Sequence, residues 1–350
     1  MAGEPLQVGL IGAGAAVRRL HLPALEALRD EIRVAAVWSR SPDNARALAR
    51  QHGIERCWND YRELLADRSV EAVLIAVPIE RNAPLLLEAV AAGKHVLAEK
   101  PIAATVAEAR RVLEACGRSD RVVAIAENFR YREDVRRARA VVAAGLVGAV
   151  QCFHANMVFD LNKDFRQDFI GKPWRQHPSH PGGLAVDAGV HSAAALREIL
   201  GEVRDLYAQT LHRAGETTGP TGLLVQMTLA TGAVGQYLAC HTARTDRETV
   251  FDLTAYGERG TLWLGEGSVE WTVGPDTKRT AYRPEGHDRG YQGQWRNFCG
   301  AVRGREEVYS TPEKAFGDLL LMEAALYSAG TRRRVELAPF GTTPAPPEAP

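Results

Sequence analysis

The chain has 350 residues, of which 45% are apolar and 25% are charged, so it is long enough for two domains with buried cores. Its 43 Lys and Arg residues balance 43 Asp and Glu residues, which argues against nucleic acid or a membrane surface as a partner. Five scattered cysteines, none in a C-x-x-C pair, argue against disulfides and structural zinc. We therefore predict no metal site and a reduced, cytoplasmic location.

The first element is an apolar run, Leu6 to Ile11, too short for a signal peptide or membrane span. It leads into Gly12-Ala13-Gly14-Ala15-Ala16-Val17 and a helical pattern. Strand, glycine turn and helix in this order are typical of a dinucleotide-binding fingerprint. Gly12 would make the tight turn, and Gly14 would let a pyrophosphate approach the helix N-terminus. Val17 replaces the third glycine, so we expect looser packing of helix on strand there. An ordinary strand–turn–helix is the alternative.

The second strand, Ile32 to Trp38, ends in Ser39-Arg40-Ser41. A preference for NAD is usually marked at this point by an acidic residue that holds the ribose hydroxyls. Arginine instead pairs with a 2′-phosphate, and serine can donate to the same group. This pattern favours NADP over NAD. The alternative is that Ser39 and Arg40 merely begin the loop before the next helix.

Strands and helices alternate up to residue 127. The pattern predicts helices at 44–52, 61–66, 83–92 and 106–116, and further strands near Cys57 and at 72–77, 95–98 and 122–126. Six strands that alternate with helices predict an α/β fold with a doubly wound parallel sheet, the N-terminal Rossmann domain of residues 1–127.

From Asn128 onward the pattern changes to a charged helix at 132–144 followed by β-type runs. Strands are predicted at 150–159, 223–229, 233–241, 251–256 and 260–264, with a hairpin at Thr231-Gly232. A final helix covers 312–329. We predict a second domain at 128–335 with a mostly antiparallel sheet, and a disordered tail at 336–350 that is rich in proline.

Lys100 is the first candidate catalytic residue. A helix ends at Gly93, a buried strand begins at His95, and the strand stops at Glu99-Lys100-Pro101. Ligands of open α/β sheets bind outside the carboxyl ends of the strands, which is where this lysine is predicted to lie. In isolation, a lysine at this position more often reaches into solvent from the strand end, which is the alternative.

Asp187 and His191 are the second candidate group, and their spacing of four residues puts them on one helix face. We expect the fold to bring them together with Lys100. The ammonium group would stabilise a developing alkoxide, and a neutral imidazole would accept the hydroxyl proton. Asp187 would orient the imidazole or bind a neighbouring substrate hydroxyl. A simple solvated Asp–His pair is the alternative.

Taken together, these motifs resemble the Gfo/Idh/MocA family of sugar and polyol oxidoreductases. The resemblance rests on segments 12–17, 21–25, 91–97, 99–101, 128–130, 174–175, 182–191 and 312–329, and it covers all of the chain except the tail. His191 stands where the dihydrodiol dehydrogenase and glucose–fructose oxidoreductase branches carry tyrosine, which favours an inositol dehydrogenase-like arrangement. Asn82 stands where many relatives carry histidine.

The resemblance implies a Rossmann domain followed by an α/β domain with a large open sheet, which is often used for oligomerisation. A homodimer or homotetramer is therefore expected, since the open face would otherwise be an exposed apolar patch. The implied catalytic residues are Lys100, Asp187 and His191. The expected cofactor contacts are Gly12, Gly14, Ala15, Val17, Ser39, Arg40, Val77, Pro78, Asn82, Glu99, Lys100, Asn128, Trp174 and Arg175.

Three further pairs have two interpretations each. Trp174 and Arg175 lie near the cofactor in relatives, or form a structural anchor. His154 and Asn156 share one side of a strand. In one interpretation they line the sugar pocket with Lys100, Asp187 and His191, and in the other they form hydrogen bonds at the sheet surface. Tyr291 and Trp295 stack on a sugar or pack in the core.

We therefore expect an NAD(P)-dependent dehydrogenase or reductase whose substrate is a sugar, a cyclitol or a keto-sugar. One alternative is a sugar hydrolase or lyase that keeps NAD tightly bound and oxidises its substrate only transiently. A second alternative is a non-catalytic cofactor-binding regulator, which has no need of Lys100, Asp187 and His191.

Overall fold

The computed structural model describes residues 4–161, 163, 168–169, 171–180, 182–212, 219–265, 267–274, 279–284 and 288–337. The tail expected to be disordered lies outside the described residues from position 338 onward. The chain divides into two compact units. One contains the described residues up to Asn128 together with Asp288–Phe316, and the other those of Phe129–His287 and Gly317–Pro350. The domain ranges 1–127 and 128–335 stay a prediction. In the structure, the segment Asp288–Phe316 packs with the first unit.

The first unit is built on a six-stranded parallel sheet with the strand order β3-β2-β1-β4-β5-β6. The strands are β1 (Leu6–Ile11), β2 (Ile32–Trp38), β3 (Arg56–Cys57), β4 (Ala72–Ile75), β5 (His95–Glu99) and β6 (Val123–Ala126). The helices are α1 (Leu22–Ala27), α2 (Pro42–His52), α3 (Tyr61–Ala66), α4 (Ile79–Ala91) and α5 (Val106–Cys116). All residues of β4 and β6 are buried, as expected for parallel strands covered on both faces.

The second unit contains a nine-stranded sheet with the order β14-β13-β12-β11-β7-β10-β9-β8-β15. Among the strand pairs described for this second sheet, β7–β10 is parallel and the others are antiparallel. The strands are β7 (Val150–Val158), β8 (Val203–Leu211), β9 (Gly222–Leu229), β10 (Val234–Cys240), β11 (Thr249–Gly257), β12 (Thr261–Gly265), β13 (Ser268–Trp271), β14 (Thr280–Tyr282) and β15 (Val335–Glu336). This confirms the predicted α/β fold class, with a parallel sheet followed by a mostly antiparallel one.

Helices cover one face of the second sheet. The second unit contains α6 (Glu133–Ala143), a short α7 (Pro173–Gln176) and α8 (Gly183–Leu200). Phe153, Ala155 and Met157 on β7 are buried, whereas the side chains that alternate with them are half-buried or exposed. Alternate residues of a strand point to opposite faces, so the sheet has one covered and one open face.

Two helices follow the second sheet in the chain, α9 (Tyr291–Val302) and α10 (Pro312–Thr331). The helix α9 was not predicted from the sequence pattern. Its residues Tyr291, Trp295 and Phe298 belong to the same buried cluster as Leu10 and Leu97 of the parallel sheet. This packing confirms the core interpretation of Tyr291 and Trp295.

Candidate active site

The glycine turn after β1 has the shape that a bound pyrophosphate requires. Gly12 has φ +123°, and a Cβ atom there would lie 2.2 Å from the carbonyl oxygen of Ala76, so no other residue fits. Gly14 is exposed, and a Cβ atom there would meet no heavy atom within 4 Å. The open space lies in front of the first turn of the following helix, where an anion is stabilised by backbone N–H groups. These residues therefore fit a dinucleotide.

The helix after this turn is π-wound from Val17 to His21. Val17, which stands at the position of the third glycine, is 1% exposed and belongs to the core of the first unit. Ala15 precedes it in the first helical turn and is half-buried. Its side chain is small enough to leave the space in front of Gly14 open.

The remaining cofactor candidates of the first unit follow the other strands. Ser39 and Arg40 follow β2, Val77 and Pro78 follow β4, and Asn128 follows β6. Because the strands are parallel, all these residues lie at the same edge of the sheet as the glycine turn. Arg40 is exposed, and its guanidinium group makes no hydrogen bond or ion pair with another described residue. Asn128 is buried, and its amide donates to the carbonyl oxygen of Arg289 at 2.7 Å.

Lys100 is half-buried and directly follows β5, at this same edge. Its backbone N–H donates to Oε2 of Glu99 at 3.1 Å. The side-chain amide of Asn82 donates to the carbonyl oxygens of Glu99 and Pro101. Asn82 is 1% exposed, and its amide group forms hydrogen bonds with the backbone of this turn. The cofactor contact expected for Asn82 stays a prediction.

In the second unit, α8 carries Asp187 and His191 one helical turn apart. Asp187 is 5% exposed, and Nε of Arg175 donates to its Oδ2 at 2.6 Å. Arg175 also donates to the carbonyl oxygen of Phe169 at 3.1 Å and lies 4.1 Å from the ring centroid of Trp174. The Trp174-Arg175 pair therefore holds the Asp187 carboxylate in place. Its contact with the cofactor stays a prediction.

The imidazole of His191 is oriented by an aromatic stack. It lies parallel to the ring of Phe129, with 4.6 Å between centroids and 19° between planes. Phe129 makes an edge contact with Phe251 at 6.2 Å, and the guanidinium of Arg132 lies 4.5 Å from its centroid. Because Phe129 is enclosed by these neighbours, the plane of the His191 ring is fixed within the second unit.

The position of α8 is fixed by close packing and by a buried charge network. Gly183 begins the helix with φ +48°, and a Cβ atom on Gly189 would lie 2.2 Å from the terminal methyl carbon of Met322. Arg130 pairs with Glu198 at 2.6 Å and with Asp318 at 2.5 Å, all three nearly inaccessible to solvent. Backbone conformation at Gly183 and close packing at Gly189 thus require these glycines within the second unit.

The structure does not place His154 and Asn156 with His191. Phe251 shares the covered face of the sheet with Leu253, which is the partner of Ala155 across the β11–β7 pair. His191 reaches this face through Phe129. His154 pairs with Thr254 and lies 6.0 Å from the ring of Tyr256. His154 and Asn156 alternate with the buried residues of β7 and therefore point to the open face. This position favours the second interpretation of the pair, as hydrogen-bonding groups at the sheet surface.

Sequence reasoning missed His241, which directly follows β10. It is fully buried and stacks on Phe159 with 4.7 Å between ring centroids, and neither ring nitrogen has a hydrogen-bond partner among the described residues. Burial lowers the pKa of His241 to about 4, and the nearby Asp187 carboxylate opposes this shift only in part. A neutral imidazole therefore lies close to Asp187. The only sequence signal was its place at a strand end.

Within the part of the chain that the structure describes, no group of three or more His, Cys, Asp or Glu side chains is arranged to hold a metal ion. No helix formed by these residues is long and apolar enough to cross a membrane.

Two family models match the chain. Residues 6–127 match the oxidoreductase family with an NAD-binding Rossmann fold, and residues 135–263 match the GFO/IDH/MocA C-terminal domain. The 1,5-anhydro-D-fructose reductase of Ensifer adhaerens is 27% identical over 338 residues, which cover 94% of this chain and 98% of that protein. D-xylose 1-dehydrogenase (NADP(+)) 2 of Haloferax volcanii is 34% identical over 234 residues, 65% of this chain and 68% of that protein.

Among solved structures, the crystal structure of an oxidoreductase from Thermotoga maritima matches with a TM-score of 0.85 and 29% sequence identity. The match covers 95% of this chain and 98% of that one. Both units of the chain therefore have counterparts in a single protein.

Proposed function

The chain belongs to the Gfo/Idh/MocA family of NAD(P)-binding oxidoreductases, and we propose that it transfers a hydride between a nicotinamide cofactor and a carbinol carbon of a sugar, cyclitol or keto-sugar. The observation that carries the proposal is the placement of Lys100 at the same sheet edge as the open turn at Gly14. The names of the E. adhaerens reductase and the H. volcanii dehydrogenase support a sugar as the substrate.

The proposal gives each candidate side chain one role. A bound nicotinamide would supply the hydride acceptor or donor. Lys100 stabilises the negative charge that develops on the substrate oxygen, because its ammonium group is a compact positive charge in a half-buried position. His191 takes the hydroxyl proton on a ring nitrogen and returns it in the reverse direction. Asp187, held by Arg175, binds a neighbouring hydroxyl or orients the imidazole.

We propose NADP as the preferred cofactor. Arg40 is exposed beyond β2 and has no partner among the described residues, so its guanidinium is available for a 2′-phosphate, with Ser39 as a second donor. The NADP(+) in the name of the H. volcanii relative supports this choice.

We also propose that a second copy of the chain covers the open face of the nine-stranded sheet in a homodimer or homotetramer. Val234, Leu238 and Tyr256 are exposed on this face, at 53%, 38% and 41%. A groove of about 660 Å³ on this face is lined by Val234 and Tyr256 and also by His154, Gln226 and Gln236. Exposed apolar residues grouped around a polar groove are typical of protein interfaces. We propose a reducing cytoplasm as the location of the chain, because its five cysteines are scattered and none stands in a C-x-x-C pair.

A substrate panel tests the proposed function. Cyclitols, aldoses and keto-sugars are incubated with each cofactor in both redox states while the absorbance of reduced nicotinamide is followed. Net, substrate-dependent turnover of free cofactor supports the proposal, and the same protein with Lys100→Met should lose it while binding the cofactor with nearly unchanged affinity. Cofactor that remains bound through gel filtration without net reduction would instead indicate a hydrolase or lyase. Cofactor binding with no sugar conversion at all would indicate a regulator.

A further inference from the structure

His21 lies at the centre of a buried chain of hydrogen bonds in the first unit. The residue is inaccessible to solvent, and its Nε2 lies 2.8 Å from Oε1 of Glu99. The indole N–H of Trp295, which is also inaccessible, donates to Nδ1 of His21 at 3.2 Å. Tyr291 places its ring edge-on to the imidazole, with 5.3 Å between centroids. Two residues of α9 thus enclose a histidine from the opposite end of the chain.

The direction of these bonds follows from the chemistry of the three groups. An indole nitrogen can only donate a hydrogen bond, so Nδ1 of His21 must accept and cannot carry a proton. The ring is therefore the neutral tautomer with its hydrogen on Nε2, and that hydrogen is donated to Glu99. Trp295 selects the tautomer, and the tautomer makes His21 a donor toward the carboxylate.

Glu99 uses its two carboxylate oxygens for two different donors. Oε1 accepts from His21, and Oε2 accepts the backbone N–H of Lys100 at 3.1 Å. Glu99 is the last residue of β5, so its side chain turns back onto the peptide that carries Lys100. Because both of its oxygens accept hydrogen bonds, the Glu99 carboxylate has one orientation, and in this orientation it holds the backbone N–H of Lys100 in place.

Asn82 secures the same turn from its other side. Its amide group donates to the carbonyl oxygens on either side of Lys100, those of Glu99 and Pro101. The backbone N–H of Lys100 and both neighbouring carbonyl groups are thus held by the side chains of Glu99 and Asn82. These bonds fix the point and the direction from which the half-buried Lys100 side chain leaves the end of β5, and so narrow the volume that its ammonium group can reach.

We propose that Trp295, His21 and Glu99 form a positioning relay for Lys100, in which the indole N–H sets the tautomer of His21 and that tautomer orients the Glu99 carboxylate against the Lys100 backbone. The inference rests on the proposed function, since it takes Lys100 as the group that contacts the substrate oxygen. Trp295, His21 and Glu99 are positioning residues in this scheme, since their effect on the substrate oxygen passes through Lys100.

Glu99→Gln gives the sharpest kinetic test. A glutamine offers one acceptor oxygen to two donors, the His21 Nε2–H and the Lys100 N–H, and Trp295 prevents His21 from moving its proton to Nδ1. We expect kcat to fall roughly 10–100-fold with KM changed less than about 3-fold, because a displaced catalytic group slows the step after binding. Unchanged kcat in Glu99→Gln would overturn the relay.

The double variant Glu99→Gln/Trp295→Phe separates a relay from simple packing. Without the indole N–H, His21 can carry its proton on Nδ1 and accept from the introduced side-chain amide, whose oxygen is then free for the Lys100 N–H. We expect kcat to recover at least about 5-fold over Glu99→Gln alone, although the protein is less stable, since the buried Nδ1–H has lost its partner. A purely structural role predicts additive losses, so a double variant slower than Glu99→Gln would contradict the proposal.

Glu71→Gln is the matched control. Glu71 also accepts a backbone N–H, that of Gln7 at 3.0 Å, and also pairs with a side chain at the end of α9, that of Arg303 at 2.6 Å. It precedes β4 and so lies at the opposite edge of the sheet from Lys100. We expect this change to lower stability and to leave kcat within about 2-fold of the wild type.

Nitrogen-15 NMR of labelled histidine gives a readout that needs neither substrate nor turnover. In the wild-type chain, His21 should show the Nε2–H tautomer near pH 7, and in the double variant the Nδ1–H tautomer. An imidazolium or an Nδ1–H tautomer in the wild type would overturn the relay. If the tautomers are as expected but no sugar is turned over, the proposed function fails while the hydrogen-bond chain stands, so the two failures are distinguishable.

Discussion

Arg175 donates from Nε to Oδ2 of Asp187 at 2.6 Å, and it does so from a short helix that precedes α8 in the chain. Asp187 is almost completely buried, whereas the Arg175 side chain is 20% exposed. The contact gives the carboxylate a fixed direction and a compensating charge. The same guanidinium reaches the carbonyl oxygen of Phe169, so Arg175 connects the segment before α7 with the face of α8 that carries His191.

Arg175→Ala should therefore reduce kcat/KM by roughly 10–100-fold, because Asp187 keeps its buried charge but loses the group that orients it. Arg175→Lys should recover only part of this loss, since an ammonium group cannot make both contacts in the plane of a guanidinium. Steady-state kinetics with the best substrate of the panel measures the effect. Arg279→Ala, which removes an exposed pair with Glu270, is the control and should leave kcat/KM unchanged. Equal kinetics for the two alanine variants would contradict the role of Arg175.

His191→Asn should lower kcat by about 10²–10⁴-fold, because the proton acceptor is lost while the polar character of the site is kept. The acid limb of the profile of kcat/KM against pH should become flat, since that limb reports protonation of the acceptor. His212→Asn, an exposed histidine after β8, is the control. An acid limb that persists in His191→Asn would indicate a different base.

Arg40→Ala should weaken NADP binding much more than NAD binding, because only NADP carries the 2′-phosphate that the guanidinium is proposed to bind. Fluorescence titration of the chain with each reduced cofactor gives both dissociation constants. Arg50→Ala, at an exposed position of α2, controls for the loss of one positive charge from the same unit. Equal losses for NADP and NAD would remove the proposed preference.

His241 should make the protein less stable in acid. Its pKa is lowered by burial to about 4, whereas in the unfolded chain it is about 6.5. Between these two pH values the unfolded chain binds a proton that the folded chain does not, so the free energy of unfolding falls as the pH drops from about 7 to 4. The full effect of this group, about 3 kcal/mol, is reached below pH 4.

Urea unfolding at a series of pH values checks this expectation. His241→Leu should show a shallower decline of the free energy of unfolding between pH 7 and pH 4 than the wild type, whatever its stability at neutral pH. His212→Leu, which removes an exposed histidine that follows β8, is the control. Parallel curves for wild type and His241→Leu would show that His241 is not kept neutral by the fold.

Leu238→Glu should convert the proposed oligomer into monomers. The side chain points to the open face of the nine-stranded sheet and is 38% exposed, so a carboxylate is tolerated in the monomer but would be buried by a second copy. Light scattering coupled to gel filtration measures the mass. Leu146→Glu, at an exposed position in the loop after α6 and not on this sheet face, is the comparison. A monomeric wild-type chain would contradict the proposal.

The sequence predicted the parallel sheet closely because each of its strands is a short apolar run with local boundaries. β1 and β2 have the predicted limits, and β4 and β5 differ from them only at their ends. The second unit was predicted less completely, with β8, β13, β14 and β15 missed. Strands of an open sheet bury only one face, so their patterns are weaker, and β14 and β15 contain only three and two residues.

The sequence by itself determined the fold class, the edge of the sheet where the glycine turn and Lys100 lie, and the helical spacing of Asp187 and His191. These features depend on periodicity and on neighbours along the chain. Only the tertiary structure decided the partners of these groups, Arg175 for Asp187, Phe129 for His191, and Trp295 for His21 across 274 residues. It also placed His154 on the open face, away from His191. Such contacts form when distant segments share one core, and no local pattern of residues encodes which side chains meet there.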